Sequence, residues 1–202
     1  MKRSPWLLVA IAFLAGCAQV SVRVVQKAPI ERPKERIYVV VHEGAAAPAY
    51  AHALARAMVT RLGGHAGAFK STVLTGVEFD TSFLERDIDA FRAEAVLQIK
   101  PLGTRTGRYG TTLGVIYSAT LFDSPSKTGL WAAKVDAPTH AQASAPPHPR
   151  NGPSAAGAGA WPADRNSEAS PVRSMMEATA ERIVASMAAD RMIGPALVSN
   201  RL

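Results

Sequence analysis

The sequence contains a single cysteine, Cys17, among 202 residues. One thiol can neither close a disulfide within the chain nor supply the several thiolates of a cysteine-rich metal site. Aromatic residues make up only 6% of the sequence. Disulfides within the chain are therefore excluded, and about 185 residues after position 16 are enough for one domain with a hydrophobic core.

Patterns typical of catalysis are also missing. His42 and Glu43 begin like the zinc-protease motif His-Glu-x-x-His, but Ala46 occupies the position of the second histidine. No serine lies in a Gly-x-Ser-x-Gly elbow. The five histidines show no ligand spacing with carboxylates or with one another. We therefore expect no enzyme, no cofactor and no metal site.

The N-terminus carries the most specific signal in the sequence. Lys2 and Arg3 precede a short apolar run, Trp6–Phe13, which predicts a secretory signal peptide over residues 1–16. The next four residues, Leu-Ala-Gly-Cys, resemble the lipobox of bacterial lipoproteins. That resemblance implies cleavage between Gly16 and Cys17 and acylation of Cys17.

The resemblance also implies a location. Ala18, rather than aspartate, follows the cysteine, which in bacterial lipoproteins implies transfer to the outer membrane. Several acyl chains on Cys17 would give stable anchoring, with the rest of the chain facing the periplasm. An uncleaved membrane helix is the alternative, because the apolar stretch can be read on to Val22.

The chain is basic. Removing residues 1–16 takes away two basic residues and leaves a net charge of +7 − 2 = +5. Basic character often indicates nucleic-acid binding. An exported chain without a recognised binding motif is not expected to bind nucleic acid, so the charge favours anionic envelope ligands or acidic partners, or simply a solvated surface.

The organisation of the remaining chain follows from its composition. Residues 17–35 are predicted to form the lipidated N-terminus and a tether, in which Ser21–Gln26 alternates enough to allow a short strand. Residues 36–137 and 171–197 are predicted to form one periplasmic domain. Residues 138–170 are dense in Ala, Pro, Gly and Ser without periodicity, which is typical of a disordered insertion.

Hydrophobic periodicity in the folded part predicts the element order β-α-β-α-β-β-β-α. The predicted strands are Arg36–His42, Ser71–Leu74, Ala95–Pro101, Leu113–Asp123 and Leu130–Val135; the predicted helices are about Pro48–Leu62, one capped by Asp80 or Thr81, and one beginning at Ser170. This order favours an α+β fold, with a mostly antiparallel sheet and helices packed on one face.

Two features are candidate binding elements. Arg105, Arg108 and Tyr109, with Lys100 nearby, lie in the glycine-rich connection between two strands and could meet an anionic surface, although a solvated loop is the simpler interpretation. Trp161 is the one large aromatic residue in the polar insertion. It could anchor a partner or fold back on the domain.

The stretch YSATLFDSPSKTGLWAAKVDA resembles a hairpin of small outer-membrane lipoproteins, such as the penicillin-binding-protein activator and curli-secretion lipoprotein families. The similarity covers residues 36–137 and 171–192. It implies an α+β fold and a non-catalytic role, whereas the insertion at 138–170 departs from the pattern.

These observations lead to two functional hypotheses. In the first, the chain is a membrane-anchored periplasmic lipoprotein that acts as a non-catalytic adaptor or assembly factor and binds an envelope protein. In the second, it binds an anionic envelope ligand, lipid or polysaccharide, directly through Arg105 and Arg108.

Overall fold

The computed structural model of the chain describes residues 19–44, 48–65, 67–75, 82–110, 112–138 and 169–197. The elements in these ranges are β1 (Ser21–Lys27), β2 (Arg36–His42), α1 (Pro48–Leu62), β3 (Ala68–Leu74), α2 (Ser82–Phe91), β4 (Ala95–Thr106), a 3-10 turn (Arg108–Gly110), β5 (Thr112–Asp123), β6 (Gly129–Pro138) and α3 (Ala169–Ala189). The predicted α+β class and element order are confirmed, and α1 has the predicted bounds.

The six strands form one sheet in the order β1-β6-β5-β4-β2-β3. β2 pairs in parallel with β3 and β4, and the other three pairings are antiparallel, so the sheet is mostly antiparallel as predicted. Within the segment 17–35, for which the sequence predicts a tether, Ser21–Lys27 pair with β6. Because the backbone groups on one side of this segment pair with β6, these residues belong to the sheet as an edge strand.

The buried strand β2 separates two apolar clusters. Ile37, Val39 and Val41 pack in the larger core, together with residues of α1 and α3. The alternate residues, Tyr38 and Val40, pack in a smaller cluster with α2. The two long helices thus lie on one face of the sheet, and the short α2 lies on the opposite face, because β2 is apolar on both sides and needs cover on both.

A buried tryptophan connects three elements of the larger core. Trp131 of β6 is fully buried, and its Nε1 donates to Asp190 Oδ2 at 2.9 Å. Lys27 of β1 donates to Asp190 Oδ1 at 2.8 Å. The hydrogen bond from Lys27, and to a smaller extent that from Trp131, hold the pKa of Asp190 below its usual value. The end of α3 is thereby fastened to the edge strand β1.

A second carboxylate organises the turn between β5 and β6. Asp123 accepts a hydrogen bond from Lys34 Nζ at 2.8 Å and from Ser126 Oγ at 2.7 Å. Lys34 is itself fixed, because its backbone N–H donates to Met192 O. The hydrogen bond from Lys34, followed by that from Ser126, lowers the pKa of Asp123 to about 2.

Several predicted features lie outside the described residues: the signal peptide 1–16 with Cys17, the candidate caps Asp80 and Thr81, and nearly all of the insertion at 138–170. Within the ranges that the structure covers, no helix is both long enough and apolar enough to cross a membrane.

The depressed pKa of Asp123 predicts a specific loss of stability in acid. The ionised form stabilises the fold above the ordinary aspartate pKa of 3.8, and this contribution is lost as pH falls toward the folded value of about 2. We expect roughly 1–2 kcal/mol of the unfolding free energy to disappear over this interval. Asp123→Asn should remove this part of the acid dependence, measured by denaturant unfolding between about pH 5 and pH 2.

The matched control is Asp89→Asn, which changes an exposed carboxylate on α2. It should leave the acid dependence unchanged. An Asp123→Asn profile that falls as steeply as the wild-type profile would contradict the assignment.

Candidate functional site

The β4–β5 hairpin extends beyond the neighbouring strand. β2 pairs with β4 only as far as Ile99, whereas β4 and β5 remain paired out to Thr106 and Thr112. We call this extension, residues 100–110 and 112–117, the arm. In the described part of the chain, the β4 edge of the arm is paired with no other strand beyond Ile99.

The arm brings together the binding residues predicted from the sequence. Arg105 lies near the end of β4, and Arg108 and Tyr109 form the turn that follows. Tyr109 is 101% exposed and has φ of 65°, a left-handed conformation that is uncommon for a bulky residue. Leu102 on the same arm is 62% exposed. The arm therefore presents apolar and basic side chains to solvent at one end of the molecule.

The position of Arg105 is fixed by an ion pair. Its Nη1 lies 3.1 Å from Asp136 Oδ2; the Arg105 side chain is exposed and that of Asp136 is partly buried, so solvent weakens the pair and it positions Arg105 more than it stabilises the fold. Asp136 Oδ1 is buried and has no hydrogen-bond partner among the described residues. Gly114 of β5 leaves room for this arrangement: a Cβ there would lie 2.9 Å from Ala137 O and 3.3 Å from Arg105 Nη2.

One face of the sheet is only partly covered. In the described residues, the apolar cluster beneath α2 includes side chains of β2, β3 and β4 but none of β1, β5 or β6. We call the side of β1, β6, β5 and the arm that faces away from α1 and α3 the open face. Antiparallel strands with one solvated face are common, and such a face carries polar residues.

A row of cations crosses the open face. Arg23 lies opposite Lys134, Lys134 opposite Ser118, and Ser118 opposite Lys100. Residues directly opposite each other share a face, and all three cations are exposed. Within the described ranges none of them forms an ion pair with a carboxylate. Since like charges placed opposite each other are unfavourable, the row is suited to an anion.

A groove of about 670 Å³ runs between α1 and the edge strand β3. His52 and Arg56 of α1 line one side, and Ser71 and Val73 of β3 line the other. β3 is the last strand of the sheet, so one of its edges is open in the described part of the chain. The groove therefore combines side chains of a helix with unpaired backbone groups.

The backbone shows which groups of β3 point outward. Ala68 N donates to Glu35 O, and Leu74 O accepts from Glu43 N, so these residues are turned toward β2. In a parallel strand, alternate residues direct both backbone groups to the same neighbour. The N–H and C=O of Ser71 therefore point to the open edge, as do those of Phe69 and Val73.

The histidine at the end of β2, His42, has a partly buried ring. His42 Nε2 is buried and has no hydrogen-bond partner in the described ranges. Burial, and to a smaller extent the positive charge of Lys100, lower the pKa of His42, which keeps the ring neutral near pH 7. Among the described residues, no group of three or more His, Cys, Asp or Glu side chains could hold a metal ion.

Reasoning from the sequence predicted only part of this site. Some of the residues that it did predict lie outside the part of the chain that the structure describes. Arg23, Lys134 and the groove residues were not predicted; the alternation in β1 was the only signal, and it does not give the register. Gly16, Cys17 and Trp161 lie outside the described residues, so their predicted roles stay predictions.

No protein-family model matches the chain, and no curated protein matches it. Among solved structures, the PelC dodecamer from Paraburkholderia phytofirmans is 14% identical, covering 82% of this chain and 97% of that chain, with a TM-score of 0.45. The lipoprotein GNA1162 from Neisseria meningitidis is 19% identical, covering 52% of this chain and 82% of its own, with a TM-score of 0.35. Likenesses this low carry no argument about function or location.

The close packing at Gly114 predicts that a single methyl group there disturbs the arm. Gly114→Ala should lower the unfolding free energy by roughly 1–3 kcal/mol, because the new Cβ meets backbone and the Arg105 guanidinium. Gly103→Ala is the matched control, since a Cβ at Gly103 meets nothing within 4 Å. Urea unfolding of both variants checks this; equal stabilities would contradict the packing.

Proposed function

We propose that the chain is a lipid-anchored envelope protein, attached to the outer membrane through Cys17 and facing the periplasm, whose domain is a non-catalytic adaptor for a protein partner. The Leu-Ala-Gly-Cys sequence supports the anchor. The observation that carries the adaptor role is the open edge of β3 beside the groove.

The edge of β3 is suited to accept a strand from a partner. β2 and β3 stay in register from Arg36 and Ala68 to His42 and Leu74 without a shift, so β3 is regular along its whole length. Proteins commonly protect edge strands with bulges, prolines or charges. β1 at the other edge of the sheet carries such an irregularity between Val24 and Gln26, whereas β3 is regular, and its one charged residue, Lys70, is paired with Asp87 of α2.

The groove would contribute side-chain contacts to an added strand. Backbone hydrogen bonds supply affinity in strand addition, and pockets for alternate side chains supply specificity. A partner strand beside Ser71 would lie against α1, where His52 and Arg56 are exposed. The exposed guanidinium favours a partner with an acidic side chain at that position.

The anchor predicts a defined mass for the protein extracted from membranes. We expect a chain that begins at Cys17 and carries added acyl mass, whereas Cys17→Ala should lack that mass. Intact-mass spectrometry of the two proteins side by side measures this directly. An unprocessed wild-type chain with the full sequence mass would indicate an N-terminal membrane helix instead.

The adaptor role predicts that proline at position 71 blocks partner binding without unfolding the domain. Ser71→Pro removes an outward N–H and no hydrogen bond to β2, a position at which edge strands tolerate proline. A photoreactive residue introduced at position 73 should crosslink the partner in cells. We expect Ser71→Pro to abolish this crosslink. The measurement is the yield of the crosslinked complex.

Ser71→Ala is the matched control for this experiment, because it keeps the N–H and should keep the complex. Urea unfolding of both variants tests whether the domain remains folded. A complex that forms equally well with Ser71→Pro would remove the edge of β3 as the binding site.

A second candidate function is direct binding of an anionic envelope ligand. The cation row of Arg23, Lys134 and Lys100 on the open face favours it, and it adds to the predicted Arg105 and Arg108. Two variants distinguish the two candidate functions. Ser71→Pro would leave an anion bound at the open face untouched, whereas Lys134→Glu would weaken that binding and leave partner capture intact.

A further inference from the structure

The N-terminal end of β1 and the arm lie at the same end of the sheet. Ser21 pairs with Asp136, Asp136 with Ile116, and Ile116 with Gly103. Neighbouring strands are about 4.8 Å apart, so Ser21 lies roughly 15 Å from Gly103 across the sheet. The chain that leads to Cys17 therefore leaves the sheet beside the arm.

Two segments extend beyond the line of paired residues Ser21, Asp136 and Ile116, namely β5 toward the turn of the arm and the chain toward Cys17. Both can reach a similar distance. β5 reaches from Ile116 to Thr112, four residues further out, or about 13 Å at the rise of a strand. Cys17 precedes Ser21 by four residues in the sequence and can lie at most about 14 Å away. A flat surface that holds the acyl chains of Cys17 is therefore within reach of the turn at the end of the arm.

The connection to the anchor is also too short to let the domain move away. Val20 is only 8% exposed and belongs to the larger core. Only Ala18 and Gln19 separate it from Cys17 in the sequence. A linker of two residues cannot act as a flexible spacer, so an anchored domain keeps this end close to the membrane.

The side chains at this end are those that a membrane interface favours. Tyr109 is fully exposed, and tyrosine is enriched where one part of a ring meets lipid and its hydroxyl meets water. Leu102 adds exposed apolar surface, and Arg105 and Arg108 bring two guanidinium groups, of which that of Arg105 also contacts Asp136. At the opposite end, the β5–β6 turn around Lys127 has none of the large exposed apolar side chains of the described residues, and Leu197, bonded to Gly64, is the one that lies near that end.

From this arrangement we propose that the end of the arm, with Tyr109, Leu102, Arg105 and Arg108, docks on the anionic surface of the bilayer that holds Cys17. The proposal rests on the proposed lipid anchor. Each basic residue near an anionic bilayer strengthens binding by roughly fivefold, so the arginines and the acyl chains act together. The arm would thus hold the domain in one orientation, rather than leave it free to turn about its anchor.

The test uses the full-length lipoprotein with one new cysteine, Tyr109→Cys, labelled with an environment-sensitive fluorophore and reconstituted into phosphatidylethanolamine–phosphatidylglycerol vesicles. The matched control is Lys127→Cys. Both positions lie in hairpin turns, both have positive φ, and they lie at opposite ends of the sheet. We expect blue-shifted emission and reduced iodide quenching at position 109 and neither change at position 127.

The outcomes separate this inference from the proposed anchor. Acylation blocks the Cys17 thiol, so an anchored wild-type protein should take up no label; labelling of the wild type would overturn the anchor and the docking together. An unlabelled wild type with equal emission and quenching at positions 109 and 127 would overturn the docking alone. An equal blue shift in neutral phosphatidylcholine vesicles would overturn the contribution of the arginines.

Discussion

The limited length of α2 determines which parts of the sheet remain open. β2 is apolar on both sides, so it requires cover on both faces. α1 and α3 together cover one face, but the ten residues of α2 extend only about 15 Å and reach β2, β3 and the start of β4. In the described residues the rest of the second face has no helix over it, and the cation row lies there.

The open surfaces lie at separate places on the sheet. The edge of β3 and the edge of β1 are at opposite sides, and the arm extends from one end of the strands between them. A partner on β3 and a bilayer at the arm would therefore not compete for the same residues. This separation suits a protein that holds a partner at a fixed orientation to a surface.

The sequence predicted local structure better than it predicted non-local pairing. The apolar spacing within Pro48–Leu62 marks a helix that needs no information from elsewhere, and its bounds were correct. β3 begins at Ala68, three residues before its predicted start, because pairing with β2 rather than local propensity extends it. Helix placement on the two faces depends on crossover connections that periodicity does not specify.

The same difference holds for the candidate site. Arg105, Arg108 and Tyr109 were predicted because they cluster in the sequence. Arg23 and Lys134 are adjacent only because β1 pairs with β6 in one register, and no pattern in either segment gives that register. The ion pair of Arg105 with Asp136 depends on two such registers, so it could not be predicted from the sequence.

The fastening of Lys27 to Asp190 has a consequence for the order in which the chain folds. This contact joins residues 163 positions apart, and among the described strands β1 pairs only with β6. Contacts at such separation form late and slow the folding of a domain. β1 cannot pair until β6 has been synthesised, and Lys27 meets Asp190 only when nearly the whole chain is present. Late closure of the sheet at β1 would suit the export that the proposed lipid anchor requires.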